Sequence, residues 1–184
     1  MVTKTPYEKM PWRDSYESDV PYENNYLPIC LPGILSQRVL EFPDVTALVF
    51  QGYAMTYRAL QDAVDRLSTF LTGLGVKKGD RVAILLPNTI PCVVSYYAVL
   101  SIGAIAVMNN PLYTDRELEY QLTDSGAQTL ITLDLLAGRM IALRSRTPIR
   151  HILYTSLGDY LPFPKNFIFP LVGRWKKLAA AVPP

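Results

Sequence analysis

Between Arg81 and Asp115 run 33 residues without one charged side chain. A stretch of that kind belongs either in a bilayer or inside a packed domain. Pro87, Asn88, Pro91, Asn109, Asn110 and Pro111 interrupt it, leaving 17 apolar-leaning residues over 92–108, at the lower limit for a span. A buried strand–helix–strand unit accounts for the same run, with the prolines and asparagines at its turns. The buried reading is the stronger one.

That unit is part of a longer repeat. Four short runs over 82–86, 104–108, 129–133 and 151–154 are rich in Val, Ile or Leu without alternation, as strands covered on both faces are. Connectors of 17 to 20 residues separate them, long enough for parallel crossovers. Thr114-x-x-Glu117 reads as a capping box, Leu118 and Leu122 share a face, and Gly126 stops the helix. Upstream, 34–42 reads as a short helix ending before Pro43, and 47–57 as a small hairpin turning at Gln51-Gly52. Thr56 then caps an amphipathic helix. Leu60, Ala63, Val64, Leu67, Phe70, Leu71 and Leu74 form its apolar face, Arg58, Asp62, Asp65 and Arg66 its wet side, and Gly75 ends it. The expected fold is α/β: a doubly wound parallel sheet, strands 82–86, 104–108, 129–133 and 151–154, helices 57–74, 90–103 and 114–125, plus the N-terminal hairpin.

The ends differ from this body, which spans 29–156. Residues 1–28 hold Tyr7, Trp12, Tyr16, Tyr22 and Tyr26 among four prolines with no helical or strand period, and read as an extended arm with aromatic anchors. Their three basic and five acidic residues, with no apolar run, fit neither a secretory signal nor a transit peptide. Residues 157–184 form a proline-rich segment that is both basic and apolar. Charge follows the same division: 1–134 hold 10 Lys/Arg against 15 Asp/Glu, and 135–184 hold 8 against 1. An anionic partner is therefore expected at the C-terminal end. Phe163, Phe167, Ile168, Phe169, Leu171 and Trp175 beside Lys165, Arg174, Lys176 and Lys177 make a membrane surface, met through 160–177, the candidate. Packing of the same apolar residues on other protein is the competing account. Nucleic acid is not expected, because only Trp175 is interleaved with the basic cluster.

Catalytic signatures are few. Cys30 and Cys92 are 62 positions apart and His151 is the one histidine, which excludes a disulfide scaffold, most structural zinc sites and a dyad of paired histidines. Cysteine usage points to a reducing cytoplasm. Gly73-Leu-Gly75-Val-Lys-Lys-Gly79 follows a helix and precedes a strand, the reverse of what a pyrophosphate cradle needs, and reads as a helix stop and a turn. No GxxxxGK[ST] occurs, and Ser95 and Ser101 lack a GxSxG context. His151 opens an apolar strand and reads as structural. Asp134, at a strand's carboxyl end, stands where a ribose-binding acid would, but lacks the glycine loop. The strand ends present Pro87-Asn88, Asn109-Asn110-Pro111, Leu133-Asp134 and Thr155-Ser156, where asparagines either bond a ligand or close a turn.

Two segments, GVKKGDRVAILLPN and NNPLYTDRELEYQLTDSGA, lie inside a stretch from Met55 to Asp134 that resembles the N-terminal part of the adenylate-forming acyl-CoA synthetases. PWRDSY near the start and DYLPFPKNFIFPLVGRWKK near the end resemble the bacterial long-chain fatty acid–CoA ligases in particular. The resemblance implies an enzyme that activates a carboxylate with Mg-ATP to an acyl-adenylate and passes the acyl group to the thiol of CoA. It also implies a phosphate loop, acids for ribose and magnesium, and a mobile lysine, none of which is present here. The resemblance thus describes an incomplete N-terminal subdomain, inactive alone, with no catalytic, cofactor-binding or metal residue transferable. ATP, Mg and CoA belong to the full-length enzyme, and fatty acid and CoA are its partners. Self-association into a homo-oligomer is expected, in the cytoplasm or peripherally on the inner face of the membrane. The alternatives are another acyl- or aryl-CoA ligase of the superfamily, or a stand-alone flavodoxin-like binding or membrane-surface module.

Overall fold

The computed structural model describes residues 6–21, 26, 28–162 and 164. The first of these form a helical turn, α1 (Pro6–Lys9), and a 3-10 turn at Pro11–Ser15. Within the arm expected to be extended over 1–28, these two stretches are helical turns instead. Each turn begins at a proline, whose fixed φ suits a first helical position, and Tyr7 meets Trp12 edge-on at 5.8 Å. α2 (Leu31–Glu41) also starts earlier than its apolar pattern indicates, because Pro32 sits in its first turn.

β1 (Thr46–Phe50) and β2 (Tyr53–Thr56) pair antiparallel around Gln51 and Gly52, both at positive φ (51° and 89°), as a two-residue hairpin turn requires. α3 (Tyr57–Gly73) starts at Thr56, whose side chain accepts from Ala59 N at 3.2 Å. It buries Leu60, Val64 and Leu71. After it come β3 (Arg81–Leu85), α4 (Ile90–Ser101), β4 (Ile105–Met108), α5 (Asp115–Ser125), β5 (Thr129–Leu133), α6 (Asp134–Leu143) and β6 (His151–Thr155). The sheet runs β4-β3-β5-β6 with every pairing parallel, as in Val82 beside Ala106, Ala83 beside Leu130 and Thr129 beside His151. The capping box at the start of α5 forms as its spacing indicates: Glu117 N donates to Thr114 Oγ1 and Thr114 N donates back to Glu117 Oε2.

Strand pleating sorts the interior into two cores. Val82, Ile84, Ile131 and Leu133 face α2, α3, α4 and Met55 of the hairpin, whereas Ala83, Leu85 and Leu130 face α5 and α6. The direction of each crossover explains the sides. From β3 the chain moves one way to β4, and from β4 and β5 it moves the other way; crossovers of one hand running in opposite directions must cover opposite faces. α6 was absent from the expected helices. Its sequence, DLLAGRMIAL, is apolar nearly all round and contains Gly138, so it shows no amphipathic stripe, yet it buries Ala137, Met140 and Leu143.

Candidate functional site

In an open parallel sheet a ligand crevice forms at the carboxyl ends of adjacent strands whose crossovers leave for opposite faces. Here those strands are β3 and β5, so the crevice lies between the turn over 86–89 and Leu133-Asp134.

The polar groups at this edge mostly serve the backbone. Thr89, at the N-cap of α4, donates from Oγ1 to the Pro87 carbonyl at 3.0 Å, and does not cap its helix. Asn110 Oδ1 accepts from Leu112 N at 3.0 Å, closing a turn. Asp134 is the first residue of α6 and its Oδ1 accepts from Leu135 N at 2.8 Å, a stabilising place for an acid at a helix start. Thr132, wholly buried, donates from Oγ1 to the Leu85 carbonyl at 3.2 Å and ties β5 to β3. Asn109 is the exception. Its Nδ2 donates to Val107 O at 2.7 Å, while its buried Oδ1 has no hydrogen-bond partner among the described residues. That oxygen can accept from a hydroxyl, an amine or water, and cannot serve a phosphate.

A groove of about 540 Å³ with largely apolar walls runs to this edge on the first face of the sheet. α3 and α4 form one wall through Leu67, Phe70, Pro91 and Val94; Ile131 of β5 and Leu153 of β6 form the other. Its volume lies in the range of small-molecule sites, roughly 300–1,000 Å³. Arg66 and Tyr160 stand at the rim. Tyr160 belongs to a 3-10 turn, Leu157–Tyr160, that leaves β6 and leans on the hairpin, with Tyr160 edge-on to Tyr53 at 6.0 Å. Burial raises the Tyr160 phenol above its ordinary value; Asp159 and Tyr53 add to this and Arg66 opposes it. Phe70, assigned to the buried face of α3 from sequence, is 54% exposed because it borders this groove. No local signal marked the groove, since its two walls lie far apart along the chain.

The remaining candidates scatter. His151 is exposed at the amino end of β6, the opposite edge of the sheet. Gly75 and Gly79 take positive φ (89° and 86°) in the turn into β3, at that same amino edge, as their turn reading requires. Ser101 Oγ donates to the Tyr97 carbonyl at 2.8 Å, back into its own helix. Cys92 is buried, and burial raises its thiol above the ordinary range, so it is a packing residue and a poor nucleophile. Among the described residues no three His, Cys, Asp or Glu cluster to hold a metal ion.

Residues 35–165 match the family of AMP-binding enzymes. The chain is 44% identical over 166 residues to a long-chain-fatty-acid–CoA ligase of Bacillus subtilis, covering 90% of this chain and 30% of that protein. A long-chain-fatty-acid–CoA ligase of Escherichia coli is 36% identical over 173 residues, covering 92% and 30%. Among solved structures, an anthranilate CoA ligase in complex with anthranoyl-AMP superposes with a TM-score of 0.65 at 30% identity, over 83% of this chain and 28% of the other. A long-chain-fatty-acid–CoA ligase from Archaeoglobus fulgidus gives a TM-score of 0.67 at 26% identity, over 72% and 28%. The chain spans about 30% of the length of the curated relatives it matches.

Proposed function

The chain belongs to the family of AMP-binding enzymes, and from that premise we propose that it works as part of a long-chain fatty acid–CoA ligase. Such an enzyme joins a fatty carboxylate to the AMP moiety of ATP with loss of pyrophosphate. It then moves the acyl group to the sulfur of CoA with loss of AMP. The observation that carries this reading is the 44% identity to the Bacillus subtilis ligase over 90% of the chain.

Within that activity the chain supplies scaffold and an apolar wall. The groove between α3, α4, β5 and β6 ends at the carboxyl edge, which suits an alkyl chain whose carboxylate must emerge at the sheet's ligand crevice. In this reading ATP, magnesium and CoA are bound outside the segment this chain represents, and no catalytic residue is assigned to it. The 184 residues alone should accordingly show no fatty-acid-dependent ATP–pyrophosphate exchange.

The test is a chimaera in which this chain replaces the matching segment of the Bacillus subtilis ligase. Retained palmitate-dependent acyl-CoA formation supports the reading; a folded chimaera that makes none overturns it.

A cytoplasmic protein touching an anionic membrane through 160–177 is the setting we infer, supported by the basic and aromatic residues of that segment. Of those residues, 160–162 and 164 are among the described ones, and the basic cluster lies outside them. No helix among the described residues is long and apolar enough to cross a membrane.

A further inference from the structure

The outer face of α5 carries Arg116, Tyr120 and Asp124, each four residues from the next and all exposed. Tyr120, at the middle of this face, is 72% exposed, and tyrosine is a residue type enriched at interfaces. The other charges of the helix are engaged. Asp115 holds Arg139 of α6 at 2.6 Å, Glu119 holds Arg146 at 3.0 Å, and Glu117 closes the capping box. Arg116 and Asp124 have no ion-pair or hydrogen-bond partner among the described residues. They are two helical turns apart, about 12 Å along the axis, so they cannot pair within one chain.

A two-fold axis through Tyr120 removes the mismatch. In a second copy laid antiparallel on the first, each Arg116 comes opposite the other's Asp124, and the two tyrosines meet at the centre. With Tyr113, Glu117 and Gln121 these residues line a groove of about 620 Å³ along the helix flank, room for the partner's ring. The groove adjoins the outer strand of the sheet, since Gln121 Nε2 donates to the Met108 carbonyl at the end of β4 at 3.2 Å. Ile105 and Met108 of that strand and Leu112 beyond it are also exposed, extending the apolar part of the patch.

We infer that the α5 face is a self-complementary surface on which a second copy of this chain docks, with Arg116 opposite Asp124 twice and Tyr120 on the axis. An acidic or a basic partner would satisfy one of the two unpaired charges and oppose the other. A copy of the same face satisfies both, as an isologous contact does. The inference is independent of the ligase reading, because its test reads mass and not turnover.

Sedimentation velocity of the 184-residue chain over a range of concentrations should show a monomer–dimer equilibrium. Arg116→Asp and Asp124→Arg each place two like-charge pairs across the axis, and either alone should weaken the dimer on the order of tenfold. The double variant R116D/D124R restores both pairs with opposite sign and should recover most of the wild-type affinity. Both substituted positions are exposed, and unchanged thermal melts will confirm that the variants fold. A chain that stays monomeric at every concentration overturns the inference. So does a dimer indifferent to both single reversals, which would place the contact elsewhere, for instance on the apolar groove of the first face. A double variant no tighter than the singles overturns it as well.

Discussion

Arg81 and Gly126 constrain each other: the guanidinium donates from Nη2 to the Gly126 carbonyl at 3.0 Å, and a Cβ at position 126 would lie 2.9 Å from that same nitrogen. Nε of Arg81 donates in addition to the Ser125 carbonyl at 2.9 Å. A cation at the start of β3 thereby closes the negative end of α5, whose last residue turns through Gly126 at φ 63°. Gly126→Ala should cost about 1–3 kcal/mol, combining left-handed strain with displacement of the guanidinium. Arg81→Ala should cost about 2 kcal/mol for two charge-assisted bonds. In the Arg81→Ala background the alanine at 126 should cost less, since its steric opponent is gone. Urea midpoints of the four proteins check this, and strict additivity would refute the coupling.

The capping box gives stability a specific pH dependence. The Thr114 hydroxyl and then its backbone N–H donate to Glu117, and they hold its carboxyl below the ordinary value of 4.5. A carboxyl lowered on folding stabilises the native state above its unfolded value, and the contribution disappears as pH falls through the folded value. The melting temperature of wild type should therefore exceed that of Glu117→Gln at neutral pH, and the gap should close on acidification. A gap constant down to pH about 3 would show that the charged form is not what the cap uses.

The two thiols should separate cleanly under a disulfide reagent. Cys30 is exposed, whereas Cys92 lies in the first core with its thiol raised by burial. One thiol should react in the native chain at mildly alkaline pH and two after denaturation. Prompt native labelling of Cys92, read by peptide mass, would show that the α4 side of the core opens readily.

For the proposed membrane contact, the chain should co-sediment with anionic vesicles, and changing Arg174, Lys176 and Lys177 together to Gln should release it. Each basic residue near such a surface contributes about 1 kcal/mol, so three together weaken binding on the order of a hundredfold. Binding unaffected by this change and by added salt would rule out the electrostatic contact.

Much of the fold is legible in the residues themselves, because the chain states it locally. The inner strands β3 and β5 carry apolar residues at nearly every position from Val82 to Leu85 and from Leu130 to Leu133 because both their faces are covered, and composition records that double burial; the outer strands β4 and β6 read the same way from sequence but leave Ile105, Met108 and Tyr154 exposed. The Thr114–Glu117 cap, the Thr56 cap and the turn at Gln51-Gly52 use bonds or dihedrals confined to a few neighbouring residues. α6 escaped because its half-buried and exposed positions, Leu135, Leu136 and Ile141 among them, are apolar too, so no polar stripe announces it.

The site was a different matter. Asp134 and Asn110 stood at the correct edge of the sheet, yet sequence could not say whether they faced a ligand or their own backbone; the structure gives them to the backbone and, among the described residues, leaves the buried Asn109 Oδ1 unpaired. The strand order β4-β3-β5-β6, the crevice between β3 and β5, and the groove joining Phe70 to Leu153 likewise come from the packing of distant segments. Caps, turns and burial patterns depend on residues within a turn or two of one another, so the order of amino acids is enough to specify them. Which strand lies beside which, and which walls face across a groove, depends on residues brought together from opposite ends of the chain, and that is settled only once the fold is packed.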